Sequence, residues 1–147
     1  NLIKQLEDIK NFNSENIYTN HRLNPFKEYS KFIINQIFKF FLDHYEEQST
    51  ISNLVRMTEY YPKIIPSFLK WLSIYCNKDF VSENFKEYKV DLDYYDNTKI
   101  YGNLETKEIY AQAILDYISG MTDRFAIETF NKLLTYEKFT WFVLDEL

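Results

Sequence analysis

The sequence predicts an all-α fold, a compact bundle of about five to seven helices, and three observations carry that expectation. Apolar residues recur at three- and four-residue spacing over long stretches, above all from Phe26 to Tyr45 and from Ile109 to Leu134. Pro25 and Pro66 stand where a first helical turn tolerates them. Hydroxyl side chains at Ser49, Thr50 and Thr106 precede apolar runs and are suited to accept from the first free amides of a helix.

In chain order, Leu2, Ile3, Leu6 and Ile9 predict a short helix ending near Asn11, with a turn over Asn13 to Asn16. From Pro25, the residues Phe26, Tyr29, Phe32, Ile33, Ile37, Phe40, Phe41 and Tyr45 predict the longest helix. Ile34 and Phe38 widen its apolar surface, so it is expected to pack on two sides as a central core helix. Ser49 to Ser52 open a helix through Leu54, Val55 and Met57, which Tyr61-Pro62 stops because a residue before proline avoids the helical region. A further helix spans roughly 63–76, with Phe68, Leu69, Trp71, Leu72 and Tyr75 on its buried side. From Asn77 to Asn103 the period fails, and an irregular loop or small hairpin around pieces such as Lys99-Ile100-Tyr101 is expected. Thr106 then caps a helix with Ile109, Tyr110, Ala113, Ile114, Tyr117, Ile118 and Met121 on its apolar side, and Phe125, Ala126, Thr129, Phe130, Leu133 and Leu134 continue the pattern. Trp141 to Leu144 form a last apolar cluster.

A chain of 147 residues, 46% hydrophobic, suffices for one domain with its own core, and residues 1–147 are expected to form a single helical domain. No apolar run approaches the ~20 residues of a bilayer span. Cys76, alone, cannot close an internal disulfide or a cysteine zinc cluster, and a reducing, cytoplasmic setting is expected. The net charge of -5, with scattered basic residues, argues against a broad nucleic-acid surface. The 13 Tyr and 13 Phe accompany abundant Asn, Lys and Ile, all read from A- and T-rich codons, so genome bias accounts for them more simply than base stacking does. Asp91, Asp93 and Asp96 lack the ligand order and glycine of a calcium loop. His21-Arg22 ahead of the Pro25 helix reads as a solvated turn before it reads as an anion site, and His44 near a helix end suits the C-terminal dipole.

One stretch does not fit an ordinary core helix. Asp116-Tyr117-Ile118-Ser119-Gly120-Met121-Thr122-Asp123-Arg124-Phe125-Ala126 puts polar groups and a glycine on a buried-helix pattern. On one continuous helix residues 116, 120, 123 and 127 would share a stripe, and Gly120, about 1 kcal/mol worse than alanine there, suggests a kink or a close backbone approach. The residues alone admit a packing reading, in which Asp123 caps the second half of a broken helix, Arg124 pairs with Glu128 and Gly120 allows helices to cross. They equally admit a ligand reading, in which the Arg124 guanidinium grips a phosphate.

The stretch resembles the signature near the C-terminus of the deoxynucleoside triphosphate triphosphohydrolases of the HD superfamily, dGTPase-like enzymes. The likeness is strongest over residues 110–134 and continues weakly at Glu15-Asn16-Ile17-Tyr18. That resemblance implies a deoxynucleotide-hydrolysing parent whose helical C-terminal domain is this chain, an expectation that the opening at Asn1 directly into a helical pattern suits. It implies further that Tyr117, Asp123 and Arg124 border a nucleotide pocket or an interface, that the domain shapes the substrate cleft, and that the enzyme is a homo-oligomer. Phe125 stands where the family often has tyrosine, which removes one hydroxyl. The family's divalent metal is held by a histidine, a histidine-aspartate pair and an aspartate. Here only His21 and His44 occur, neither followed by aspartate, so no metal and no catalytic residue is expected in this chain and the metal is assigned to the parent's HD domain. Without the family, the alternative is a helical interaction or regulatory module with no nucleotide role.

Overall fold

The computed structural model describes residues 2–85 and 99–135. Seven α-helices run through them: α1 (Leu2–Asn13), α2 (Asn24–Leu42), α3 (Thr50–Met57), α4 (Ile65–Tyr75), α5 (Lys78–Asn84), α6 (Lys107–Ser119) and α7 (Asp123–Leu134). No strand occurs among the described residues, and the predicted all-α class is the observed one. Contacts divide the chain within α2 into two units, residues 1–33 and 34–147.

In the first unit α1 passes into a wide π turn, Ser14–Tyr18, where a plain turn was expected. The Thr19 hydroxyl closes it by donating to Ser14 O at 2.9 Å. Asn20 then accepts from Arg22 N at 3.0 Å and opens a short 3-10 turn that leads into Pro25 and α2. Leu2, Ile3, Leu6, Ile9 and Phe12, the apolar stripe of α1, are all exposed.

The predicted central helix is present but ends at Leu42, short of Tyr45, and its surroundings differ from the expectation. Ile33, Ile37 and Phe41 are buried, one stripe at four-residue spacing, whereas Phe26, Tyr29, Phe32 and Ile34 are exposed and Phe38 is half-buried. At its end His44 Nδ1 donates to Phe40 O at 2.6 Å, a cation-capable ring on the last carbonyls as the sequence suggests.

The second unit carries the core. Phe41 from α2 meets Phe68 from α4, with ring centres 4.3 Å apart, and Phe68 meets Tyr117 from α6 at 5.0 Å. Leu54, Ile65, Leu69, Leu72, Val81, Phe85 and Ile114 of the same unit have no exposed surface. Tyr110 is equally buried, and its hydroxyl donates to Phe41 O at 3.1 Å, so its one polar atom is satisfied inside the core. Ahead of α3 it is Thr50, not Ser49, that ties down the entry: its hydroxyl accepts from Glu46 N at 2.9 Å and donates to Glu47 O at 2.8 Å.

The expected loop over 77–103 is partly helix. Val81 of α5 and its C-cap Phe85, four residues apart, are buried, and a helix of seven residues is too short to display a period. Lys99-Ile100-Tyr101, read as β-compatible, forms a turn instead. Asp91, Asp93, Asp96 and the Trp141–Leu144 cluster lie outside the described residues.

Candidate functional site

The signature does not lie on one helix. α6 ends at Ser119, Gly120 and Met121 turn the chain, and α7 starts at Asp123. Asp116 O receives the Gly120 amide at 3.2 Å and the Ser119 hydroxyl at 2.8 Å, which closes the last turn of α6. A Cβ added to Gly120 would meet nothing closer than Tyr117 O at 3.6 Å, an ordinary contact. The glycine thus marks a helix end, and residues 116, 120, 123 and 127 share no continuous stripe.

The cap of α7 is Thr122, where Asp123 was expected. Thr122 is extended, at φ -73 and ψ 157, and its hydroxyl accepts from Phe125 N at 3.2 Å. Asp123 is the first helical residue, where its negative charge faces the positive end of the helix dipole. Arg124 pairs with Glu128, Nε to Oε1 at 2.8 Å, as the packing reading predicts. The hydrogen bond and charge of each partner push the other's titration outward, Arg124 up and Glu128 down. The Arg124 side chain remains 90% exposed, so it can exchange that partner for another anion.

The structure separates Tyr117 from these exposed groups. Tyr117 is buried, its ring packs on Phe68 and Trp71, and its hydroxyl donates to Ser67 Oγ at 3.0 Å. Burial raises its titration, and the Ser67 bond offsets part of that.

Sequence reading missed the partners of Asp116. The Tyr101 hydroxyl donates to Asp116 Oδ2 at 2.6 Å and Gln112 Nε2 donates to Oδ1 at 2.8 Å, so both carboxylate oxygens are engaged within the fold. Gln112 is legible at four-residue spacing on α6, whereas Tyr101, fifteen residues away, leaves no local signal. Tyr101 N also donates to Tyr75 O at 3.2 Å and Asn77 N to Gly102 O at 2.9 Å, which seats the turn over 99–104 against the end of α4. Lys99, Gly102 and Leu104 in that turn all have positive φ, of 53°, 52° and 59°. At Gly102 a side chain would also strike the Glu105 carboxylate, 2.9 Å from the Cβ position.

Residues 95–132 match the family model of the phosphohydrolase-associated domain. The matched segment contains the Tyr101 turn, all of α6, the helix break and most of α7. Searches of curated proteins and of solved structures gave no match. The segment is therefore similar to a domain that accompanies HD-type phosphohydrolases, while Glu15 to Tyr18, in the exposed π turn, lies outside it.

The divalent metal of such enzymes finds no fitting donor set among the described residues, where no group of three His, Cys, Asp or Glu side chains converges. His44 is committed to Phe40 O, and Asp116 to Tyr101 and Gln112. Cys76 is buried, and its thiol is pushed up to about 12 by burial and by the charge of Glu105, so it stays protonated at neutral pH. Among the described residues no helix is long and apolar enough to cross a membrane.

Proposed function

We propose that this chain is the helical C-terminal part of a cytoplasmic HD-superfamily enzyme that hydrolyses a deoxynucleoside triphosphate to deoxynucleoside and triphosphate. The observation that carries the reading is the match over residues 95–132, which falls on the same helices as the signature. The reaction and its divalent metal belong to the parent's HD domain in this reading, because neither His21 nor His44 is followed by the aspartate that the family's metal set requires. This chain completes the helical scaffold, shapes the substrate side of the cleft and carries contacts of a homo-oligomer.

Within that role Arg124 is the phosphate-facing candidate. Arg124 stands in the first turn of α7 with its guanidinium exposed, and its bond to Glu128 can give way to a stronger anion. Asp123 borders the same turn, and Tyr117 acts from beneath by fixing α6 on α4 through Ser67.

A second reading has its own support. The side chains of Asp116, Tyr117 and Arg124 all have partners within the chain, Arg124 on its surface, as in a helical interaction or regulatory module with no nucleotide role. Arg124→Ala in the full-length parent separates the two. A raised KM, or loss of nucleotide-dependent activation, with an unchanged melting temperature supports the phosphate role. Unchanged kinetics assign Arg124 to the structure alone.

A further inference from the structure

Asp116 joins two irregular segments of the second unit, the turn over 99–104 and the break between α6 and α7. Its carboxylate holds the Tyr101 hydroxyl and with it the left-handed turn over 99–104, while its backbone carbonyl closes the end of α6 just before the helix break. Tyr101 is 3% exposed, and its ring is wedged against Trp71 at 5.5 Å and Tyr75 at 6.1 Å, so the phenol cannot swing away without disturbing the core. Gln112, one helical turn earlier, braces the other carboxylate oxygen.

We infer that the Tyr101–Asp116 bond is a clasp that couples the turn over 99–104 to the α6–α7 break, so that a change at either segment is felt at the other. The physical route is short. Releasing the phenol leaves the Asp116 carboxylate held by Gln112, relaxes the backbone at residue 116 and weakens the bonds its carbonyl receives from Gly120 N and Ser119 Oγ. At the far end, loss of the phenol's anchor removes one of the bonds that hold the turn, with its left-handed Lys99 and Leu104, beside those of Tyr101 N to Tyr75 O and Asn77 N to Gly102 O. A partner or ligand docking at the break therefore alters the opening of the turn, and the effect is reciprocal. This inference does not depend on the proposed enzymatic role.

Amide hydrogen exchange on this chain tests it. In Tyr101→Phe, the ring stays and only the clasp is lost. The amides of Gly120 and Met121 should then exchange faster relative to the core amide of Leu72, by roughly five-fold, the effect of one ordinary hydrogen bond. A Gly120-to-Leu72 ratio that stays at the wild-type value, or falls, overturns the clasp, and a global loss of stability cannot raise that ratio. The variant Asp116→Ala and the double variant should match each other at Gly120. Additive acceleration in the double variant would equally overturn the coupling.

Discussion

Replacing Thr122 by alanine removes the group that starts α7, and its cost can be worked from the geometry. The Thr122 hydroxyl accepts the Phe125 amide at 3.2 Å, and the residue has the extended backbone that a capping position requires. Thr-to-Ala changes at such positions cost about 1 kcal/mol, within a range of roughly 0.5–2 kcal/mol. The loss should register in the second unit, because α7 contributes the buried Thr129 and Phe130. Urea unfolding followed by circular dichroism at the helical band reads it directly: with a slope of about 2 kcal/mol/M, the midpoint falls by about 0.5 M. Thr122→Ser, which keeps the hydroxyl, should remain near wild type. Asp123→Asn should give a smaller loss that fades in high salt, since Asp123 acts through its charge on the helix end rather than through a cap bond. The reasoning is refuted if Thr122→Ala leaves the midpoint in place, or if Asp123→Asn costs more than Thr122→Ala and does so independently of salt.

Tyr110→Phe deletes a fully buried hydroxyl and its bond to Phe41 O, and should lower unfolding free energy by about 1 kcal/mol, read in the same urea titration. Cys76 makes stability fall at alkaline pH: the unfolded thiol ionises near its ordinary value of 9.0, the folded one only at about 12, so the folded state retains a proton that the unfolded state has lost. Melting temperatures should hold up to about pH 9 and then decline, and the part of that decline due to the thiol should disappear in Cys76→Ala.

What the sequence made legible follows from length and locality. α2, α4, α6 and α7 each run for eleven residues or more, long enough for buried side chains to recur at helical spacing, and their starts at Pro25, Pro66 and Thr106 were marked by residues whose chemistry suits a first turn. α5 escaped because its seven residues bury only Val81, and the next buried position at helical spacing, Phe85, is already its C-cap. The exposure of Phe26, Tyr29 and Phe32 escaped for a different reason: a period shows that a face is apolar, not that a neighbour covers it.

The candidate site divides in the same way. The Arg124–Glu128 pair is local and was readable. Gly120 was read as a kink or a close approach, and Asp123 as a cap, because the pattern continued across the break; the stop of α6 depends on the Gly120–Asp116 and Met121–Ile118 backbone bonds, and the cap on Thr122. The Tyr101–Asp116 bond joins a turn to a helix across fifteen residues, and no periodicity reports such a pair.

Product analysis on the full-length parent tests the central proposal most directly. With a deoxynucleoside triphosphate and a divalent metal, the account predicts equimolar deoxynucleoside and inorganic triphosphate from the parent and no turnover from this chain alone. Hydrolysis by this chain in isolation, or release of monophosphate and pyrophosphate by the parent, would contradict it.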